Sequence, residues 1–283
     1  MAYSYLANQR ETRGVLERHG LLLKHHLGQN FLVNDGVIGH ILALAELTPE
    51  DVVYEIGPGI GTLTVALLQN ARRVVAVEAD RTLPPVLAET CARDGDKLVL
   101  VQGDALRVTA QELEEAAGAA PTKLVSNLPY QVAATVVLGT LQNMPSVNRA
   151  VVMVQAEVAD RMSAVPGTKT YGAYTAKLGL FAKVSDRFEV SPGNFMPPPH
   201  VNSAVVRIDR VEPVCANAVR VAQVIDAAFA QRRKTIRNSM AASGFDKPAL
   251  DTAFEAAGID PRARAEVLST ADFVRLAQTL LPA

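Results

Sequence analysis

The chain has 283 residues, of which 49% are hydrophobic and 20% charged, a composition typical of a globular protein with a sizeable core. Its formal net charge of −1 excludes a global basic field, so a nucleic acid would have to be met by a local patch. Two distant cysteines, Cys91 and Cys215, do not make a disulfide framework. Because no apolar run reaches the length of a membrane span and the N-terminus lacks a signal peptide's apolar segment, we expect a cytoplasmic protein.

Short apolar runs alternate with helix-like segments from about residue 35 to 155. Strands are predicted at residues 51–56, 74–79, 98–102, 123–127 and 149–155. These runs are nearly continuous in Val, Leu and Ile, which is typical of strands buried on both faces. The pattern therefore predicts an α/β fold with a mostly parallel sheet and helical crossovers.

A glycine-rich segment follows the first predicted strand, in the sequence E-I-G-P-G-I-G-T-L-T. Glycines at Gly57, Gly59 and Gly61 allow unusual backbone angles and let a ligand lie against the main chain. An NAD site favours G-x-G-x-x-G, but here Thr62 occupies the position of the third glycine. Glu55 adds a carboxylate, which would repel a pyrophosphate but suits a cationic ligand with an amino group.

Acidic residues end the next two predicted strands. Glu78 ends the second and can accept hydrogen bonds from both hydroxyls of a ribose. Asp104 follows the third, and its oxygen could accept from an adenine amino group. Either acid alone is more often solvated, but together with the glycine segment they predict a nucleoside pocket without phosphates. S-adenosylmethionine fits that description, and NAD is the competing cofactor that the glycine spacing disfavours.

The fourth predicted strand ends in S-N-L-P-Y, which places an amide, a proline and an aromatic ring in succession. The Asn127 oxygen and a nearby backbone carbonyl could each accept an N–H of an exocyclic amine, directing its lone pair at a methyl donor. Pro129 fixes φ and so pre-shapes the turn, while Tyr130 offers a face on which a base can stack. The ordinary alternative is a strand-to-helix turn with a tyrosine packed beneath it.

The remaining sequence predicts a sheet edge and then helices. Segments 177–190 and 201–209, on either side of the turn F-M-P-P-P-H, are predicted to form an antiparallel hairpin at the edge of the sheet. Later segments have helical patterns, with Thr270 as the expected N-cap of the last helix. We therefore expect a catalytic domain at residues 1–211 and a small helical domain at 212–283.

Five motifs occur in order along the chain: L-G-Q-N-F-L, E-I-G-P-G-I-G-T-L-T, N-L-P-Y, F-M-P-P-P-H-V-N-S-A-V-V-R and Q-R-R-K-T-I-R-N-S. Together they resemble the ribosomal RNA small-subunit adenine dimethyltransferase family. The resemblance implies a Rossmann-like class I methyltransferase sheet with a small C-terminal helical domain. It also implies that the protein transfers methyl groups from S-adenosylmethionine to two adjacent adenosines near the 3′ end of 16S rRNA, within the pre-30S particle. We expect the protein to act as a monomer.

The same resemblance implies roles for individual residues. Those expected to bind S-adenosylmethionine are Asn30, Leu32, Gly57, Glu78, Asp104 and Asn127, with Gln29 beside the first of them. Those expected to hold the target adenine are Asn127, Leu128, Pro129 and Tyr130. Phe195 would stack on the other face of a base taken out of its stack.

The motif Q-R-R-K-T-I-R-N-S carries the expected RNA contacts. On one continuous helix, Arg233 and Arg237 would share a face, flanked by Arg232 and Lys234. These side chains could contact RNA phosphates, although a solvated helix face is the usual meaning of such a charge run. The five histidines have no partners at metal-ligand spacing, so no metal site is expected.

Two other functions stay open at this stage. A resistance-type methyltransferase that modifies one adenosine of large-subunit RNA shares the cofactor motifs and the arginine-rich helix. A binding factor could instead occupy the small subunit as a checkpoint of assembly, with methylation incidental.

Overall fold

The computed structural model describes residues 2–21, 30–211 and 217–280. The chain divides into two compact units, of which the first comprises Met1–Ala159 and Val184–Asp209. The second comprises Asp160–Lys183 and Arg210–Ala283. Residues 160–183, which the sequence placed in the catalytic domain, are therefore grouped with the C-terminal helices.

Nine strands account for the β structure of the described residues. In chain order they are β1 (Phe31–Leu32), β2 (Val52–Ile56), β3 (Arg73–Glu78), β4 (Leu98–Gln102), β5 (Lys123–Asn127), β6 (Arg149–Gln155), β7 (Ala182–Val190), β8 (Phe195–Met196) and β9 (Ser203–Arg210). Seven of them form one sheet in the order β4-β3-β2-β5-β6-β9-β7, and β1 pairs with β8 in a separate ribbon. The five strands predicted between residues 51 and 155 are confirmed, each within one residue at either end.

The sheet is parallel from β4 to β6. Next to it β9 runs antiparallel to β6, with Ser203 opposite Gln155. Beyond β9 lies β7, and the Phe181 carbonyl just before it accepts from the Val211 N–H just after β9 at 2.9 Å. The mostly parallel sheet with an antiparallel edge is therefore confirmed.

Helices cover the sheet and build the second unit. They are α1 (Gln9–Arg18), α2 (Asp35–Ala45), α3 (Thr62–Asn70), α4 (Pro84–Thr90), α5 (Ala110–Ala117), α6 (Ala133–Asn143), α7 (Ala156–Met162), α8 (Ala173–Leu178), α9 (Ala218–Phe229), α10 (Ile236–Ala242), α11 (Lys247–Ala257) and α12 (Thr270–Leu280). Ile41 of α2 and Leu67 of α3 pack in one apolar core with Val53 and Val125 of the sheet. Of the helices in the described residues, none is long and apolar enough to cross a bilayer.

The strand order reverses at β2. The chain proceeds from β2 through β3 to β4 on one side and then returns to β5 on the other. These two central strands pair only near their starts, residues 53–54 with 123–124. Farther along, the Ser126 hydroxyl donates to the Ile56 carbonyl at 2.6 Å and accepts from the Ile56 N–H at 3.3 Å. The strands therefore diverge toward their carboxyl ends, which is where open parallel sheets bind ligands.

The second unit differs from the sequence expectation at the arginine-rich motif. The single helix predicted through R-V-A-Q-V-I-D-A-A-F-A-Q-R-R-K-T-I-R-N-S-M is wrong, because α9 ends at Phe229 and α10 begins at Ile236. Thr235 has extended backbone angles, and its side chain accepts from the Asn238 N–H, so it caps α10. A threonine side chain that bonds to the backbone in this way starts a new helix and does not continue the old one.

The cap of the last helix also differs from the prediction. Ser269, and not Thr270, supplies the hydroxyl that accepts from the Asp272 N–H, at 3.2 Å. The Asp272 carboxylate accepts in return from the Ser269 N–H at 2.7 Å. This is a reciprocal capping box in which Asp takes the usual place of Glu.

Two glycine substitutions should have opposite effects on stability. Gly61 has φ +88°, and an added Cβ would lie 3.0 Å from the Thr90 hydroxyl oxygen and 3.1 Å from Cys91 Sγ. Gly61→Ala should therefore lower the free energy of unfolding by about 1–3 kcal/mol. Gly139 lies inside α6 with nothing within 4 Å of an added Cβ, so Gly139→Ala should raise it by about 0.5–1 kcal/mol. Urea unfolding measures both, and equal effects of the two would contradict the prediction.

Candidate active site

A cavity of about 590 Å³ opens where β2, β3 and β5 end, a volume ordinary for a small-molecule site. Most of the residues predicted from the sequence meet in its wall. They are Asn30, Leu32, Gly57, Glu78, Asn127, Leu128, Pro129 and Tyr130. The predicted cofactor residues and the N-L-P-Y turn therefore share one space.

The glycine segment forms a turn that other residues would not readily adopt. Gly57, Gly59 and Gly61 have φ of +65°, +60° and +88°, in the left-handed region that strongly favours glycine. A Cβ on Gly57 would lie 3.3 Å from Pro129 Cγ, and one on Gly59 would lie 3.5 Å from the Phe31 ring. Because these glycines have no side chains, the turn can lie close to Pro129 on one side and to the Phe31 ring on the other. Its main chain therefore faces the cavity.

Glu78 presents a carboxylate to the cavity from the end of β3. Its Oε1 accepts from the Asp80 N–H at 2.8 Å. Burial raises the pKa of Glu78, and the N–H groups of Asp80 and Gly59 lower it in part. A carboxylate held in this way can accept hydrogen bonds from hydroxyl groups of a ligand.

Glu55 is a second carboxylate in the cavity wall, and only 2% of it is exposed. Burial raises its pKa to about 8, with the Thr64 hydroxyl lowering it and the Glu78 charge raising it. Among the residues that the structure describes, Glu55 Oε2 and the Thr62 hydroxyl have no hydrogen-bond partner. A buried polar group without a partner is costly, so these atoms fit a ligand that brings an ammonium group.

The backbone of the N-L-P-Y turn is held at both ends. Asn127 closes β5 opposite Met153, whose carbonyl accepts from the Leu128 N–H at 3.0 Å. The Pro129 carbonyl accepts from the Val132 N–H at 3.2 Å, at the start of α6. The amide of Asn127 therefore lines the cavity from a fixed main chain.

Tyr130 is anchored by a residue that sequence reasoning missed. Its hydroxyl lies 2.9 Å from the Ser203 hydroxyl oxygen, and Ser203 is 0% exposed at the start of β9. The only sequence signal for Ser203 was its place inside the motif F-M-P-P-P-H-V-N-S-A-V-V-R. The bond limits how far the ring of Tyr130 can turn.

Some predicted residues do not line this cavity. Asp104 is exposed beyond β4, where its carboxylate accepts from the Leu106 N–H at 2.9 Å and lies 3.8 Å from Arg107 Nε. Phe195 is 2% exposed and belongs to the core, opposite Leu32 in the β1–β8 ribbon. Its stacking role stays a prediction that requires the ring to become exposed. The position of Gln29 lies outside the described residues.

Other wall residues were not predicted. Phe31, Thr62, Asp80 and Arg81 also line the cavity. Each lies within three positions of a residue that was singled out, so sequence proximity was the available signal. Residue type alone did not distinguish them from neighbours that point elsewhere.

The predicted RNA-binding residues lie in the second unit. Arg232, Arg233 and Lys234 occupy the turn between α9 and α10, so Arg233 and Arg237 are not one turn apart on a single helix as predicted. Arg237 pairs through two nitrogens with Asp251, at 2.5 and 2.7 Å. Across the described ranges, no three His, Cys, Asp or Glu side chains are arranged to hold a metal ion.

The raised pKa of Glu55 predicts a pH-dependent stability difference. Between its ordinary value of 4.5 and about 8, the folded protein holds a proton that the unfolded chain has lost. Stability due to this group must therefore fall as pH rises through that range. Glu55→Gln should stabilise the protein increasingly over this range and level off above it. Urea unfolding at several pH values measures the difference, with the exposed Glu50→Gln as control. A difference independent of pH would contradict the assignment.

The chain matches the family described as Ribosomal RNA adenine dimethylase over residues 20–281. It is similar to Ribosomal RNA small subunit methyltransferase A of Kineococcus radiotolerans, with 43% identity over 98% of this chain and 92% of that protein. It is also similar to the protein of the same name from Acidothermus cellulolyticus, with 44% identity over 95% of this chain and 92% of the relative.

Solved structures agree with these sequence matches. A dimethyladenosine transferase from Plasmodium falciparum superposes with a TM-score of 0.76 at 25% identity, covering 87% of this chain and 95% of the other. The 23S rRNA methyltransferase ErmE superposes with a TM-score of 0.67 at 25% identity, covering 89% and 99%. The sheet, the glycine turn and the match over residues 20–281 lead to one conclusion: the chain belongs to the ribosomal RNA adenine dimethylase family.

Proposed function

We propose that this protein transfers methyl groups from S-adenosylmethionine to the N6 amines of two adjacent adenosines near the 3′ end of 16S rRNA. The observation that carries the proposal is the cavity in which Glu55, the glycine turn, Glu78 and Asn127 meet. Membership of the family supports the reaction class. We place the reaction in the cytoplasm, on the pre-30S particle, and assign it to a monomer that needs no metal ion.

The cavity wall has groups suited to each part of S-adenosylmethionine. When bound, that cofactor supplies a methyl group made electrophilic by its sulfonium. Glu55 would pair with its ammonium group, and Glu78 would accept from its ribose hydroxyls. Because an ammonium favours the ionised form of Glu55, binding would release a proton at neutral pH.

The remaining assignments to the cofactor site concern its cover and its adenine end. Asn30 and Leu32 line the cavity and would close over the ligand, while Gly57 lets it approach the main chain. Asp104 is proposed to accept from the adenine amino group. Its exposed position beyond β4 means that the loop would have to turn its carboxylate toward the ligand.

Methyl transfer depends on the orientation of the target amine. The Asn127 side-chain oxygen and the Leu128 carbonyl would accept its two N–H groups, which localises the lone pair and directs it at the methyl carbon. The alkylated nitrogen sheds its proton readily, so no strong general base is required. Pro129 holds the carbonyl that precedes it in a fixed direction.

The base itself would be held by stacking. Tyr130, anchored to Ser203, offers one ring face, and Phe195 is proposed for the other. Contacts to RNA phosphates are proposed for Arg232, Arg233, Lys234 and Arg237. Arg237 could contact RNA only by sharing or exchanging its bond with Asp251.

The alternative functions differ in the RNA on which the protein would act. The similarity to ErmE concerns a 23S rRNA enzyme of the same fold, so the fold alone does not choose between subunits. The higher identity to proteins named for the small subunit favours the small subunit. An assembly checkpoint would coexist with catalysis, and a catalytically dead variant that still delays subunit maturation would reveal it.

The test of the function is a transfer assay with labelled S-adenosylmethionine on under-methylated small subunits, mature small subunits and large subunits. Label should appear only in the under-methylated small subunits, and primer extension should map it to two adjacent adenosines. Label in the large subunit would overturn the proposal.

Asn127→Ala should reduce methyl transfer by about 100-fold or more, because one of the two acceptors that orient the amine is lost. The unfolding transition should change little, and the loss of cofactor affinity, to which Asn127 is also expected to contribute, should be much smaller than the loss of transfer. Asn143→Ala, an exposed amide at the end of α6, is the matched control. Full activity of Asn127→Ala would exclude the proposed role.

Ser203→Ala and Tyr130→Phe each remove one side of the same hydrogen bond and leave the Tyr130 ring in place. Each should lower kcat/KM about 2- to 10-fold, the value of one hydrogen bond. The double variant should be no worse than either single variant, since the two residues act together. Additive losses in steady-state kinetics would show that the bond does not position the ring.

A further inference from the structure

Gln155 is the last residue of β6, at the carboxyl end of the sheet and one strand beyond the N-L-P-Y turn. Its side chain is half-buried. Across the residues that the structure describes, its side-chain amide has no hydrogen-bond partner. A glutamine amide can donate two N–H groups, so these donors are available to a ligand.

The register of the sheet decides on which face Gln155 lies. Asn127 of β5 is the partner of Met153 in β6, so the two side chains lie on the same face. Side chains alternate along a strand, so Gln155, two positions after Met153, shares this face. Ser203 of β9 lies opposite Gln155 and shares it too. The strand order β5-β6-β9 therefore places Gln155 between Asn127 and Ser203.

The two rings proposed to hold the target base belong to the same part of the sheet. Tyr130 follows β5, and its hydroxyl lies 2.9 Å from the Ser203 hydroxyl oxygen on β9. Its ring therefore extends across the end of β6, which lies between these strands. Phe195 packs in one apolar core with Met153, two positions before Gln155. A base stacked between the two rings would meet the Gln155 amide at its edge.

The main chain at Gln155 is held on both sides. The residue pairs with Ser203 across the sheet, and the Ala156 N–H donates to the Asn202 carbonyl at 2.9 Å. The helix α7 begins at Ala156 without an intervening loop. The amide can therefore move only through its own side-chain torsions, which limits the entropy lost when it binds.

The chemistry of adenine requires a donor at this place. In the proposed site the Asn127 oxygen and the Leu128 carbonyl accept both N–H groups of the target amine. The ring nitrogens on either side of that amine, N1 and N7, are hydrogen-bond acceptors and lose water when the base leaves its stack. An acceptor that is buried without a partner is costly, and a nearby N–H removes that cost.

We infer that Gln155 donates an N–H to one of these two ring nitrogens and thereby helps to select adenine as the methyl acceptor. The inference rests on the proposed function and extends it to a residue of β6 that does not line the cofactor cavity. A base without an acceptor at that ring position would leave the Gln155 N–H unpaired, so its amine would be methylated more slowly.

The test combines a variant with two substrate analogues. Gln155→Met keeps the length of the side chain and removes its donors, and small subunits are reassembled with 1-deazaadenosine or 7-deazaadenosine at the two target positions. On adenosine, Gln155→Met should lower kcat/KM about 10-fold, the loss of one hydrogen bond to a buried acceptor. Gln142→Met, which changes an exposed glutamine of α6, is the matched control and should behave like the wild type on every substrate.

The coupling between variant and analogue identifies the contact. On one of the two analogues, the wild type should lose about 10-fold more than Gln155→Met loses, because the variant has no bond left to lose. The loss that remains in the variant measures the effect of the analogue on the amine itself. The analogue that shows the coupling tells which ring nitrogen accepts from Gln155.

Further outcomes separate the possible failures. Equal losses of wild type and Gln155→Met on both analogues would show that Gln155 acts through packing and would overturn the inference, as would wild-type kcat/KM of the variant on adenosine. A loss of S-adenosylmethionine affinity as large as the loss of kcat/KM would place the effect in the cofactor site and overturn it too. If the wild type transfers no methyl to unsubstituted small subunits, the proposed function itself fails.

A second variant keeps the test decisive if Gln155→Met does not fold. Gln155→Glu has the shape of the native side chain, but its carboxylate is an acceptor and would repel the ring nitrogen. Its loss on adenosine should be at least as large as 10-fold, and it should shrink on the analogue that lacks that nitrogen. A loss that is the same on adenosine and on both analogues would contradict the contact.

Discussion

The site depends on the divergence of β2 from β5. These central strands pair over two residues near their starts, and the Ser126 hydroxyl bridges them farther along. The chain continues from β2 to β3 on one side and later forms β5 on the other side of β2. No crossover helix therefore closes the space between the carboxyl ends of β2 and β5. The glycine turn and the N-L-P-Y turn both begin there, so the methyl donor and the acceptor of the proposed reaction would share one cavity.

In the protein without a ligand, one carboxyl group in that cavity is buried at a cost in free energy. Glu55 is buried with an unpartnered oxygen, and burial raises its pKa to about 8. A ligand that supplies a positive charge removes this cost, which makes recognition sensitive to the charge of the ligand as well as to its shape. Glu78 already accepts hydrogen bonds from backbone N–H groups. It is suited to accept further hydrogen bonds from neutral donors of a ligand.

The sequence predicted the parts of the fold that local pattern determines. Buried parallel strands appear as continuous Val, Leu and Ile, and glycines at fixed spacing mark the turn. It failed where a side chain competes with the helix: Thr235 starts α10 in a segment whose Arg and Lys residues favour helix. It also could not find the bond between Tyr130 and Ser203, because residues so distant in sequence leave no periodic signal. Likewise, the apolar ring of a phenylalanine suits either the core or a stacking site, so residue type alone did not decide that Phe195 lies in the core.

The ribbon of β1 and β8 links two motifs that sequence analysis treated separately. Phe31 pairs with Met196 and Leu32 with Phe195, and the Val33 N–H donates to the Asn194 carbonyl at 2.8 Å. The strand on the donor side of the cavity is thus tied to the strand that carries the proposed base-stacking ring. Since so short a ribbon has few bonds to break, it can separate at small cost, but while it is intact neither strand can shift alone. With the proposed roles of these two strands, release of the used donor and release of the modified base would be mechanically coupled.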